Sequence, residues 1–225
     1  MSVHPFRTEA MGLQLLPELS FCLVEDRVIF LDIARDRYFR LPEAAEHAFL
    51  ELVDGAGGVA PADLPSGSPI AGLFHPAPGL ARPRPVAAPA CTRAFIADPA
   101  GTSSVIRTGR ALCGQLRASW LVRHRRLLVI IERLRSTRSG RRNTAGMEEI
   151  VRAHAVADLV HSVHDRCLAK SIALFVALRR SGCESRLIFG VTARPFAAHC
   201  WVQVDDMVVN GDVGLIRMFT PILVI

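Results

Sequence analysis

Short alternating runs of apolar and polar residues open the chain, and longer runs at three- to four-residue steps fill its second half. Phe21–Val24, Arg27–Asp32 and Arg37–Leu41 read as three short strands, with Glu25-Asp26 and Arg35-Asp36 as the polar turns between them. Pro42 then sits at a first helical position, followed by Glu43, and Ala45, Phe49 and Leu52 give the helix an apolar face. Two more short helical pieces are read at Ala60–Leu64 and Pro69–Phe74. Pro76–Pro89 is rich in proline and alanine; proline withholds ladder donors and breaks helices, so the stretch reads as an extended linker.

Helical spacing takes over beyond the linker. Arg110–Arg135 reads as one or two helices with Leu112, Leu116, Trp120, Leu127, Ile131 and Leu134 as apolar positions, and Ser136–Gly146 as a polar loop. Glu148–His164 reads as another helix, through Ile150, Val151, His154, Ala157, Leu159 and Val160. Asp165–Ser171 starts the next, in which Ile172, Phe175, Leu178 and Arg179 recur at helical steps and Gly182 suits a C-cap. Phe196–Val204 and Met207–Asp212 then read as two strands around a turn at Asp205-Asp206. Three strands with small helices, a linker, then helices with strands make an α+β chain in two parts: 1–78, a linker at 79–107, and 108–225.

Composition narrows the classes of function. The formal charge of +6 is carried almost wholly by arginine, with Lys170 the single lysine. The basic residues concentrate in Arg117–Arg142, but no aromatic interleaving or nucleic-acid motif accompanies them, so a solvated helix face is expected and no nucleic-acid partner. No run of eighteen apolar residues appears, which argues against a membrane span. Met1–Leu19 shows no secretion signal, so a cytoplasmic location is the default expectation. The six cysteines form no C-x-x-C pair and no disulfide framework; Cys22 and Cys200 sit in apolar strand patterns and read as core. No phosphate-binding glycine loop is present, and no cofactor is expected.

The candidate chemistry lies in the order Cys167, His199, Asp212. A cysteine opening a helix meets the positive end of the backbone dipoles, which favours a thiolate. A histidine and an acid on following strands can supply a base and the group that orients it. Asn210 is an alternative orienter, whereas Asp205 and Asp206 read as turn residues. His161, His164 and Cys167, spaced by three, raise a metal site; three-residue steps diverge around a helix and a fourth ligand is lacking, so none is expected.

Two resemblances sharpen this. Arg166–Ser171, Leu187–Val191, Pro195–Val202 and Phe219–Ile222, in that order, resemble the transglutaminase-like cysteine peptidase domain of lasso-peptide biosynthesis B proteins. Where that family's pattern places the acid, this chain has Gly211, with Asp212 one residue later. Val28–Asp32 and Asp36–Leu41 resemble the RiPP precursor recognition element, a winged-helix-like module that binds a leader peptide by adding it to a sheet edge. Together they imply an N-terminal recognition module, with Arg37, Tyr38, Phe39, Arg40 and Leu41 at the leader, fused to a papain/transglutaminase-like cysteine peptidase. The implied activity is thiol cleavage of a lasso precursor between leader and core, by Cys167, His199 and Asp212. The implied partners are the precursor and an asparagine-synthetase-like, ATP-dependent lasso cyclase. A transglutaminase-like acyl transferase and a non-catalytic leader-binding protein are the other readings.

Overall fold

The computed structural model describes residues 11–54, 67–78, 82–95, 104–137, 146–160 and 167–225. The first strands are β1 (Met11–Leu15), β2 (Leu19–Val24), β3 (Arg27–Asp32) and β4 (Arg37–Phe39), followed by helix α1 (Glu43–Asp54). β2, β3 and β4 form an antiparallel sheet in that order, as the alternation predicts. The β2–β3 turn places Glu25 and Asp26 at positive φ, the geometry that suits a tight hairpin. β4 stops at Phe39, two residues short of the predicted Leu41, because the chain turns there into α1, with Glu46 N donating to Pro42 O.

Successive residues of these strands face opposite ways, and both faces are buried. Phe21, Val28 and Phe30 pack on Ala45, Phe49 and Leu52 of α1, with Phe21 and Phe49 edge to face at 5.0 Å. Cys22, Val24, Ile29, Leu31 and Ile33 join the core of the second half, alongside Leu178, Leu187, Val191 and Ile222. The unbroken apolar run Val28–Leu31 is therefore that of a strand covered on both sides. The two parts of the chain share one continuous core.

Two readings of the middle of the chain are corrected. Pro69–Phe74 is a single 3-10 turn, Ala71–Leu73, leading into strand β5 (Phe74–Pro78), which pairs antiparallel with β1. The proline-rich stretch does not hang free. Val86 N donates to Phe21 O, and Gln203 Nε2 donates to the carbonyls of Pro89 and Ala90. Strand β6 (Arg93–Ala94) then pairs with the C-terminal sheet. The segment straps the edge of one sheet to the edge of the other. The helix predicted at Ala60–Leu64 lies outside the described residues.

The second half holds α2 (Val105–His124), α3 (Leu127–Arg135), α4 (Met147–Val160), α5 (Cys167–Arg180), β7 (Arg186–Ala193), β8 (Phe196–Val204), β9 (Met207–Val208), α6 (Val213–Ile216) and β10 (Thr220–Val224). Its sheet runs β10-β7-β8-β9-β6. α5 ends as predicted at Gly182, whose φ of 86° lets Cys183 N reach back to Leu178 O. α2 turns a different face inward from the one predicted. Ala111, Gln115 and Ala118 are buried, whereas Leu116 and Trp120 are 48% and 52% exposed. The reason is close packing: α2 lies against α4 and α5 through small side chains, with Gly114 over Ala173, and the large apolar residues are left outside. Gln115 Nε2 ties α2 to α4 through Asp158 Oδ1 at 2.7 Å. Among the described residues no helix is long and apolar enough to cross a membrane.

Candidate active site

α5 starts at Cys167, so the thiol sits on the first turn, where backbone N–H groups lack helical acceptors. One turn further, Ser171 fixes that turn to the sheet. β9 pairs with β8 only at Gln203 and Val204, and Val209 N then donates to Val202 O. The ladder is continued by a side chain: Val202 N donates to Asn210 Oδ1 at 2.7 Å. Asn210 Nδ2 donates to Ser171 Oγ at 2.8 Å, and Ser171 Oγ donates to Cys200 O at 2.8 Å. Ser171 is fully buried. Each polar group in this chain has its partner, and together they clamp the helix bearing Cys167 onto the strand bearing His199.

Strand alternation sends Cys200 and His199 to opposite faces of β8. Cys200 lies in the core beside α5, and its thiol is pushed well above the usual range by burial and, next, by Cys167 nearby. Cys167 is half-buried at the margin of the same core. His199 lies on the other face, its ring 5.3 Å from that of Phe219 and 6.2 Å from that of Trp201. Burial holds its pKa below the ordinary 6.5, which keeps the imidazole neutral at neutral pH. Among the described residues, no hydrogen bond or ion pair joins His199 to Cys167, Asn210 or Asp212.

Asp212 is placed at the start of α6 as its N-cap, where one carboxylate oxygen accepts from Leu215 N at 2.9 Å. Its other oxygen has no hydrogen bond among the described residues. Asn210 is engaged at both ends by Val202 and Ser171. Asp205, at positive φ, and Asp206 form the β8–β9 turn as predicted, and Asp206 also accepts from Thr92 and Arg93 of the strap. Among the described residues no group of three or more His, Cys, Asp or Glu could hold a metal ion; His161 and His164 lie outside them.

The residues read as contacting a leader divide between the two cores. Phe39 stacks on Phe30 at 5.0 Å on the α1 side, and Leu41 packs there too. Tyr38 faces the other way, with its ring 5.4 Å from Phe196. Its phenol pKa is raised by burial first, then by Cys200, Asp36 and Cys167. Tyr38 and Cys167 both pack against the core shared by the two parts of the chain. Arg37 is exposed beside the Phe39 ring, and Arg40 approaches Glu46 at 3.9 Å.

Sequence reasoning missed Ser171, Gly190 and Phe219. Ser171 had a signal: at four residues from Cys167 it shares its helix face. Gly190, the cross-strand partner of His199, leaves room for the aromatic group, because a Cβ there would lie 2.7 Å from Trp201 and 2.9 Å from Phe219 Cβ. Gly190→Ala is expected to lower stability by about 1–3 kcal/mol through overpacking. It should also change the near-UV circular dichroism of Trp201. An unaltered melting temperature and aromatic spectrum would show that the wall beside His199 yields freely.

The profile of the transglutaminase-like superfamily matches residues 111–224, from within α2 to the end of β10. This superfamily generally includes cysteine peptidases and acyltransferases, chemistries consistent with a cysteine at a helix start followed by a strand histidine. Searches among curated proteins and among solved structures find no match. The matched stretch takes in α5, the Ser171–Asn210 clamp and both strands around His199, and it spans just over half of the 225 residues. The chain belongs to the transglutaminase-like superfamily.

Proposed function

We propose that the protein is a leader peptidase that binds a lasso precursor through its leader and cleaves leader from core with Cys167. The observation that carries this reading is that Tyr38, in edge strand β4, and Cys167, at the start of α5, pack against one and the same core. β4 has β3 on one side, and among the described residues no strand covers its other side. The opposite edge of that sheet is strapped by Val86. An extended leader adding to β4 would gain backbone hydrogen bonds and run past Tyr38 along the edge of the core against which Cys167 packs.

In this reading His199, neutral because it is buried, takes the Cys167 proton. The thiolate attacks the carbonyl that joins leader to core. The C–N bond breaks, His199 returns the proton to the departing core amine, and the leader remains as a thioester on Cys167. Water, activated by the same imidazole, then releases the leader as a free acid and restores the thiol. Because Cys167 packs against the core that holds Cys200 while His199 leaves the opposite face of β8, the transfer requires the His199 side chain to turn toward α5 when substrate binds. The released core would pass to an asparagine-synthetase-like, ATP-dependent cyclase.

Asp212 is the acid proposed to orient His199, through the oxygen that the α6 cap leaves unused. Asp212→Asn separates the two roles, since asparagine caps a helix as well as aspartate but carries no charge. With the full chain and its cognate precursor, kcat is expected to fall by roughly a hundredfold or more. The melting temperature should stay put, and Asp205→Ala should stay near wild type. If Asp212→Asn cleaves normally, Asp212 is a helix cap and nothing more.

A further inference from the structure

Away from Cys167, helices α2, α3, α4 and α5 enclose a groove of about 1030 Å³. Its lining includes Ala111, Gly114, Ala118, Ile130, Ile172 and Val176, so it is largely apolar. Six arginines belong to it: Arg107, Arg110, Arg117, Arg125, Arg133 and Arg180. Among the described residues no aspartate or glutamate does, although Arg107 pairs with Glu149 of α4 just outside it. His154, 6% exposed, also lines the groove, and its Nδ1 has no hydrogen-bond partner among the described residues. None of Cys167, His199 and Asp212 takes part.

The apolar surface continues past the groove along the outside of α2. Ile106, Cys113, Leu116 and Trp120 are exposed there at helical steps, with Ile106 at 68%. From Ile106 to Trp120 the stripe runs about 21 Å at 1.5 Å per residue. Arg125 lies over the Trp120 ring at 5.8 Å. Large exposed apolar side chains rimmed by arginine, with tryptophan among them, have the composition of protein-binding hot spots. A stripe of this length suits a helix laid along it, and an acid-free rim of arginines suits one with a negative polar face.

We infer that the α2–α5 groove and the outer face of α2 dock an acidic amphipathic helix of a partner protein. The apolar side of that helix would enter between α2 and α3, and its carboxylates would meet Arg110, Arg117 and Arg133 on the rim. This inference is independent of the peptidase reading, since it needs no chemistry at Cys167.

Trp120 provides the readout. The chain has two tryptophans, and the other, Trp201, is 2% exposed, so docking at α2 should shift the emission of Trp120 alone. The probe is a synthetic fifteen-residue helix with leucine on one face and glutamate on the other, titrated into the full chain. Controls are its scrambled isomer, a leucine–lysine version, phosphatidylglycerol vesicles and a DNA duplex. Saturable binding of the acidic helix with a blue shift is expected, at least tenfold weaker for the scrambled peptide and absent for the lysine version. Arg110→Glu with Arg117→Glu, both at exposed positions, should weaken it at least tenfold with an unchanged circular-dichroism spectrum. Trp120→Phe should remove the shift. Lack of saturable binding, or equal binding to the scrambled peptide or to the charge-reversed chain, overturns the inference. So does a Trp120 shift that only vesicles or DNA produce, which would make the arginine face a lipid or nucleic-acid surface.

Discussion

Cys167→Ala is expected to remove precursor cleavage, by at least roughly a thousandfold, while leaving leader affinity and the melting temperature close to wild type. The thiol is half-buried on the first turn of α5 and makes no hydrogen bond among the described residues, so its loss leaves no orphaned partner. Alanine also favours the helix. Cys200→Ala is the control: this fully buried thiol, with its pKa pushed up, is unsuited to attack, and cleavage should survive a modest loss of packing. His199→Ala should match Cys167→Ala, because the thiol would lose its proton acceptor. The wild-type rate should fall as pH falls through a value below 6.5, since burial lowers the pKa of His199 and only its neutral form accepts the proton. Chromatography of the cleaved leader, beside a thermal melt and a leader titration, checks each part. Undiminished cleavage by Cys167→Ala would remove the nucleophile from the account.

The second large effect is expected at a residue that does no chemistry. Ser171→Ala removes only the hydroxyl that Cys200 O and Asn210 Nδ2 share. Both would be stranded in a buried site, at a cost of roughly 2–4 kcal/mol. For a chain of this size that is a fall in melting temperature of about 5–12 °C. Cleavage should drop as well, because the clamp sets where the first turn of α5 lies against β8. Asn210→Ala breaks the same network from its other end and also deprives Val202 N of its acceptor. The two changes should therefore be non-additive, with a coupling of about 1 kcal/mol or more in a double-mutant cycle. Simple addition, or a melting temperature that barely moves, would show that the contacts do not act as one unit.

The strands from Phe21 to Phe39 and the helix at Cys167 were legible because alternation and helical spacing are local signals, as were the turn at Asp205-Asp206 and the Gly182 cap. What the local pattern does not carry is the partner. Val28–Leu31 announces a strand covered on both faces but not that the second cover is β10 and α5. The proline-rich stretch hid this contact by reading as a spacer. A fragment ending near Pro78, which the linker reading treats as self-contained, would expose Cys22, Val24, Ile29 and Leu31. β1 and β5 escaped notice because they pair across about sixty residues and one contains two prolines. α2 was misjudged because size-based patterning favours Leu116 and Trp120, while close helix packing selected Ala111, Gly114 and Ala118.

At the candidate site, the order of cysteine and histidine was legible from sequence, but the side-chain network between their elements was not. Asn210 was read as a possible orienter of His199, and its two ends tie the helix that bears Cys167 to the strand that bears His199. Asp212 was read from its place after a strand, where an aspartate three residues before Leu215 N also fits a helix cap. Both roles depend on what lies opposite each side chain.

The proposed cleavage passes through a thioester between Cys167 and the leader. Acid-quenching the full chain within the first turnover of its cognate precursor, followed by intact mass measurement and peptide mapping, tests this directly. The predicted result is an adduct equal to the leader acid less one water, mapped to Cys167, removed by hydroxylamine and absent in Cys167→Ala. Cleavage products that accumulate with no such adduct on the protein, or with the adduct on another cysteine, would contradict it.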